Sequence, residues 1–287
     1  MKKWVFFILI MLVLGYVAYG TNMYLEQKRD NSLGGYEPQE MNRQGYKTIK
    51  IVPQDQVHQG DLLLVNKEYP VHQEGVKSDI VNLSEHPELL QGYGLLDQHI
   101  SLSQHVAQEF LKMLEAANQE GVNHFLISSG YRDFEKQDQL YRDMGPDYAL
   151  PAGYSEHNLG LSLDIGSTET EMSKADEGKW LHKNAWKYGF ILRYPKDKSE
   201  LTGIQYEPWH FRYVGLPHSA IMQDKQLVLE EYLDLLKEQK RLTTVVEGRK
   251  YEVSYYPVSE NVLKVPDEGQ YELSGNNIDG VILTVKE

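Results

Sequence analysis

The chain has 287 residues, enough for one medium domain with appended segments. Its 42 acidic residues against 29 basic ones give a formal charge of −13, which argues against a nucleic-acid partner, since phosphate-backbone binding needs a basic surface. With no cysteine, disulfides, thiolate metal sites, a cysteine nucleophile and a lipid anchor on an N-terminal cysteine are all excluded.

Lys2 and Lys3 precede a run at 4–20 that carries no charge. Such a run approaches the length that spans a bilayer, and basic residues before it hold that end inside. Residues 1–20 are therefore expected to be a single-pass membrane anchor, with the rest of the chain extracytoplasmic. The alternative is a signal peptide cleaved near Ala18-Tyr19-Gly20, a small-x-small pattern; both readings export the domain. Residues 21–50 are polar and aperiodic and are expected to be a linker.

A main domain is expected over 51–240. The apolar run D-L-L-L-V at 61–65 has strand character. At 102–117 the spacing of Val106, Phe110, Met113, Leu114 and Ala117 predicts a helix, with Ser103 to cap it and Gly121 beyond its end. Residues 124–128 read as a buried strand, and 134–144 as a second helix. A strand is expected at 161–165, a helix at 180–188 ended by Gly189, an extended aromatic segment at 205–213, and a charged amphipathic helix at 230–240. Over 241–287 the composition turns strand-like, at 242–246, 250–256 and 281–285, with turn signals at Glu247-Gly248 and Asn276-Asn277. This segment is expected to be a small β-rich appendage packed on the main domain. Strands and helices mix without a regular βαβ repeat, so the expected fold class is α+β.

Two stretches carry the chemistry. The first, 155–164, reads S-E-H-N-L-G-L-S-L-D; the second, 207–210, reads E-P-W-H. Together they offer two imidazoles and a carboxylate, with another carboxylate three residues before the second histidine. Catalytic zinc sites use three protein ligands and leave a fourth position for water, and a nearby carboxylate can take that water's proton. In an extended segment residues i and i+3 point to opposite faces, so a bend at Pro208 is needed to turn Glu207 and His210 the same way. Trp209 and Tyr206 would wall the pocket. Ser128-Ser129-Gly130-Tyr131-Arg132 follows the buried strand; the planar fork of Arg132 suits a carboxylate, and Gln137 falls on the same side one turn further on. A serine nucleophile of the Ser-x-x-Lys type is excluded: no serine has lysine three residues later, and Lys-Thr-Gly is absent.

The pattern S-x-H-x-x-G-x-x-x-D followed by E-x-W-H, with S-G-Y-R upstream, resembles the VanY-type zinc carboxypeptidases. The stretches at 61–71, 189–195 and 274–281 resemble that family too. The resemblance implies one zinc held by His157, Asp164 and His210, with Glu207 as catalytic base. It implies that Arg132 binds a terminal carboxylate, with Ser155, Gln137, Tyr131 and Trp209 lining the substrate site. At the position after S-G-Y-R, where the family often has a small hydroxyl residue, this chain has Asp133. The implied substrates are peptidoglycan precursor peptides ending in D-Ala-D-Ala, in the setting of glycopeptide resistance or wall remodelling. The alternatives are an L,D-carboxypeptidase trimming wall tetrapeptides, a D,D-dipeptidase and, in a different class, a non-catalytic wall-binding module.

Overall fold

The computed structural model describes residues 45–145 and 149–286. The expected anchor at 1–20 lies outside the described residues, as does most of the expected linker. Among the described residues no helix is long and apolar enough to cross a membrane. The end of the linker needs correction: Tyr46–Lys50 is a strand, not a tether. It pairs antiparallel with Val262–Pro266, and Ile49 packs against Leu263 and Val265. A short strand facing solvent on one side needs only one inward apolar residue, so its sequence reads as polar.

In chain order the strands are β1 (Tyr46–Lys50), β2 (Ile80–Asn82), β3 (Tyr93–Leu95), β4 (Ser101–Ser103), β5 (Phe125–Ser129), β6 (Ser162–Ser167), β7 (Phe190–Leu192), β8 (His210–Tyr213), β9 (Arg241–Val246), β10 (Arg249–Pro257), β11 (Val262–Pro266), β12 (Gln270–Gly275) and β13 (Gly280–Lys286). The helices are α1 (Pro53–Gln56), α2 (Gln104–Gln119), α3 (Phe134–Met144), α4 (Asp176–Asn184), α5 (Ser199–Thr202), α6 (His218–Lys225) and α7 (Leu229–Gln239). Helices and strands intermingle in a mixed α/β domain.

The central sheet has five strands in the order β3-β5-β6-β8-β7, all antiparallel except the β3–β5 pair. α2 covers it. The predicted apolar stripe of α2 is buried against Phe125, Ile127, Leu163, Ile165 and Phe211, and the Ser103 hydroxyl accepts the Val106 N–H as its N-cap. A cap of this kind is worth about 1 kcal/mol. α4 starts earlier than the aromatic pattern suggests and passes into a 3₁₀ turn at Ala185–Tyr188, which Gly189 ends with φ +83.

The segment 61–65 is not a strand. Leu62, Leu63, Leu64 and Val65 are buried, but their backbone joins no ladder. Leu62 N–H donates to Ser274 Oγ at 2.8 Å, Asn277 Nδ2 donates to the Leu64 carbonyl at 2.9 Å, and Arg212 Nη2 donates to the carbonyls of Asp61 and Leu63 at 2.9 and 3.0 Å. Burial needs these groups paired, and side chains can do it as well as a neighbouring strand.

The second sheet runs β12-β13-β10-β9. Its hairpin turn uses Glu247 and Gly248, both at positive φ, as the sequence signal requires. Leu242, Val253, Tyr255 and Ile282 of this sheet share a core with Leu62, Leu64 and the inner face of α7 (Leu229, Tyr232, Leu233 and Leu236). The C-terminal segment is thus packed into the domain through a common apolar interior.

Candidate active site

The site begins with strand register. On β6 and β8, Asp164 lies directly opposite His210, so the two side chains share one face of the sheet. Their side chains meet, His210 Nδ1 and Asp164 Oδ1 being 3.0 Å apart. On the other flank β5 pairs with β6, and a bulge between Ile127 and Ser129 shifts the ladder so that Ser129 faces Asp164. Bulges re-aim strands at site edges, and this one starts the chain into Gly130-Tyr131-Arg132.

His157 enters from the 3₁₀ turn Glu156–Asn158, with its Nε2 3.3 Å from Asp164 Oδ2. Its other nitrogen, Nδ1, is 2.6 Å from the Gly130 carbonyl oxygen and donates to it, which turns the Nε2 lone pair toward the site. His210 is the reverse: its Nε2 is 3.3 Å from Glu156 Oε2, and Nδ1 faces the site. Donor atoms of His157, Asp164 and His210 all lie within 4.8 Å of one another. A tetrahedral zinc with ligands at about 2.0–2.1 Å sets its donors roughly 3.4 Å apart, and each imidazole lies near that distance from one of the two Asp164 oxygens, His157 from Oδ2 and His210 from Oδ1.

Glu207 sits at the edge of this triad. His210 N–H donates to the Glu207 carbonyl at 3.2 Å, closing the bend around Pro208 and Trp209 that brings both side chains to one side. Glu207 Oε2 lies 3.7 Å from His210 Nδ1. Burial raises its carboxyl above the ordinary range, against the opposing pull of His210 and Arg132. Asp164 moves the other way: burial would raise it, but the two histidines hold it well below the usual carboxylate range. His157 is lowered, by burial first and then by the charge of Arg132. Burial also pulls His210 down, but its hydrogen bonds to Asp164 and Glu156 outweigh that and push it up to about 9.

Arg132 is fixed through its backbone. Its N–H donates to the His157 carbonyl at 3.0 Å, and its own carbonyl accepts Asn158 Nδ2 at 2.7 Å. Nη2 lies 3.5 Å from Ser155 Oγ, whereas Nε is buried without a partner among the described residues. Asp133 does not pair with it; that carboxylate caps α3 by accepting the Lys136 N–H at 2.6 Å. Tyr131 bridges to Ser101, and Trp209 stays 42% exposed beside His210. Gln137 is buried, with Nε2 donating to the Leu150 carbonyl at 2.6 Å and Oε1 unpaired among the described residues.

Motif reading alone gives no role to Glu156, Arg193, Arg212 or Gly130. Glu156 is buried and bonded to both arginines. One signal was available: on a strand, Arg212 must share a face with His210, two residues away. The Gly130 constraint is steric, since an ideal Cβ there would collide with the Ser101 carbonyl oxygen. Gly130→Ala is therefore expected to destabilise the fold by about 1–3 kcal/mol, the usual cost of overpacking, and to weaken metal binding by shifting the carbonyl that holds His157. Thermal unfolding with and without metal measures both effects; unchanged values would show that the loop can give way.

Comparison with known proteins places this geometry in a family. Residues 99–216 match the family model described as VanY: D-alanyl-D-alanine carboxypeptidase, a span that holds every donor and carboxylate above. A D-alanyl-D-alanine carboxypeptidase of Enterococcus faecium is 57% identical over 293 aligned residues, covering 99% of this chain and 96% of that protein. Among solved structures, the vancomycin-resistance D,D-dipeptidase VanXYg, in complex with a D-Ala-D-Ala phosphinate analogue, is 32% identical with a TM-score of 0.73, covering 84% of this chain and 99% of the other. A mutant of the vancomycin-resistance D,D-pentapeptidase VanY from a VanB-type cassette, in complex with Zn(II), is 30% identical with a TM-score of 0.50, over 60% of this chain and 98% of the other. With the sequence signature, the convergent triad and near full-length similarity in agreement, this chain belongs to the VanY D-alanyl-D-alanine carboxypeptidase family.

Proposed function

We propose that this chain is a zinc-dependent D-alanyl-D-alanine carboxypeptidase that removes the terminal D-Ala of peptidoglycan precursor peptides and so contributes to glycopeptide resistance or wall remodelling. The observation that carries this is the convergence of His157, Asp164 and His210 with Glu207 poised beside them. Two imidazoles and one carboxylate, with the outer nitrogen of each ring held by a carbonyl or a carboxylate, form a donor set that suits zinc.

Zinc bound by this triad would polarise the scissile carbonyl and acidify the attacking water. Glu207 takes that water's proton and returns it to the leaving amine, a task served by a carboxyl raised toward the working pH. Arg132 receives the substrate's terminal carboxylate, and its buried Nε, unpaired among the described residues, is a donor in want of an acceptor. Ser155, Tyr131 and Trp209 flank the peptide near that end, and Gln137 supports the loop at Leu150. The charge-free run at 4–20 behind Lys2 and Lys3 supports export with the N-terminus held in the cell membrane and the catalytic domain extracytoplasmic.

The test is incubation of the purified protein with synthetic peptides ending in D-Ala-D-Ala, D-Ala-D-Lac or L-Lys-D-Ala and with free D-Ala-D-Ala, with products identified by mass spectrometry. The D-Ala-D-Ala peptides should lose one residue, chelation should abolish turnover, and zinc should restore it. Preference for L-Lys-D-Ala would make the chain an L,D-enzyme, and full activity without metal would remove the zinc mechanism. Loading also carries a proton signature. In the metal-free protein the hydrogen bonds to Asp164 and Glu156 push His210 up to about 9, while burial and the charge of Arg132 lower His157. A raised His210 must lose its proton to ligate, so zinc binding near pH 7 should release protons and affinity should weaken as pH falls. Calorimetry in buffers of different ionisation enthalpy reads this directly; zero proton release would contradict it.

A further inference from the structure

Among the described residues, the buried acid that accepts the most hydrogen bonds is not one of the donor triad. Glu156 has a side chain with no exposed surface and accepts four bonds. Arg193 Nε and Arg212 Nη1 both donate to Oε1 at 2.8 Å, Ser162 Oγ donates to Oε2 at 3.2 Å, and His210 Nε2 lies 3.3 Å from Oε2. Arg193 also grips Glu230 on α7 with both terminal nitrogens, at 2.8 and 2.7 Å. Arg212 reaches the other way, to the carbonyls of Asp61 and Leu63.

We propose that Glu156 is a positioning residue for the metal site, fixing the His210 ring with Nδ1 toward Asp164, and that the Arg193–Glu230 bridge ties this hold to α7. This rests on the metal reading given above. A carboxylate is acceptor-only, with about four lone-pair sites, and here each has a donor. An amide in its place has one acceptor oxygen and two donor hydrogens of its own, so it cannot satisfy the same four partners. Freed of Glu156, the His210 ring can turn about its χ2 axis and carry Nδ1 out of the triad. Partners behind a ligating histidine typically matter about 10–100-fold in metal affinity.

The experiment compares zinc affinity of the purified wild type, Glu156→Gln and Glu230→Gln, by competition with a chromophoric chelator. The cobalt(II) absorption spectrum of each reports the ligand set, and circular dichroism of the metal-free forms reports the fold. Glu156→Gln should keep its fold, bind zinc about 10–100-fold more weakly and show an altered cobalt spectrum. Glu230→Gln should weaken binding in the same direction by a few-fold. A zinc-loaded wild type with both variants unchanged in affinity and spectrum overturns the proposal. If Glu156→Gln does not fold, Glu230→Gln decides: weaker zinc binding supports the proposal, and wild-type binding overturns it. A wild type that holds no zinc overturns the underlying metal reading instead.

Discussion

Glu207→Gln is expected to lower kcat by about a hundredfold or more while leaving zinc in place, the range seen when a general base is lost. The expectation follows from where Glu207 stands. It lies outside the convergent donor set, its nearer oxygen is 3.7 Å from His210 Nδ1, and its side chain remains partly open to solvent. Glutamine keeps its size and its place in the bend at Pro208 but cannot accept a proton. The pH profile adds a second mark. Burial raises the Glu207 carboxyl above its ordinary range, and a base works only when ionised. Activity should therefore fall as pH drops through that raised value, and the residual activity of the variant should lack this acid limb. Zinc content and a kcat–pH series measure both. If the variant loses its metal, Glu207 is a ligand and the role given to it is wrong.

The triad was legible in the sequence because each part sits in a short, spaced motif. What brings the parts together was not. The meeting of Asp164 with His210 is a fact of cross-strand register between segments 46 residues apart, which no local pattern encodes. The helix α2 could be read because its apolar spacing and its Ser103 cap are strong and local, and the structure adds Asp133 as the cap of α3. The apolar run at 61–65 misled for the opposite reason. Its burial was readable, but its hydrogen-bond partners are Ser274, Asn277 and Arg212, distant in sequence, so nothing local distinguished it from a strand. β1 was missed because four of its five residues are polar or amphipathic and its partner, β11, lies more than two hundred residues on. Glu156 shows the same limit at the site itself. It stands next to a ligand in the motif, yet its importance depends on two arginines that arrive from β8 and from the turn after β7.

Arg132 should decide whether the chain acts only at a free C-terminus. Its guanidinium is mostly withdrawn from water, its Nε has no partner among the described residues, and burial lowers its pKa while the charges of Asp164 and Glu207 oppose that. A substrate carboxylate supplies the missing acceptor and completes a charge-assisted fork. Peptides amidated at the C-terminus lack that charge and should be poor substrates, with kcat/KM lower by about a hundredfold, within the 2–5 kcal/mol typical of unpairing a buried charge. Arg132→Lys should lose a comparable amount on free peptides, because an ammonium cannot reproduce the planar two-point contact. The variant should also lose most of its discrimination between free and amidated substrates, since the group that reads the difference is gone. The backbone of residue 132 is held by the His157 carbonyl and by Asn158, neither of which needs the guanidinium, so the metal triad should survive the change. A zinc-replete Lys variant that still separates the two substrates as the wild type does would assign carboxylate recognition to another residue, and equal cleavage of both substrates by the wild type would refute an exopeptidase.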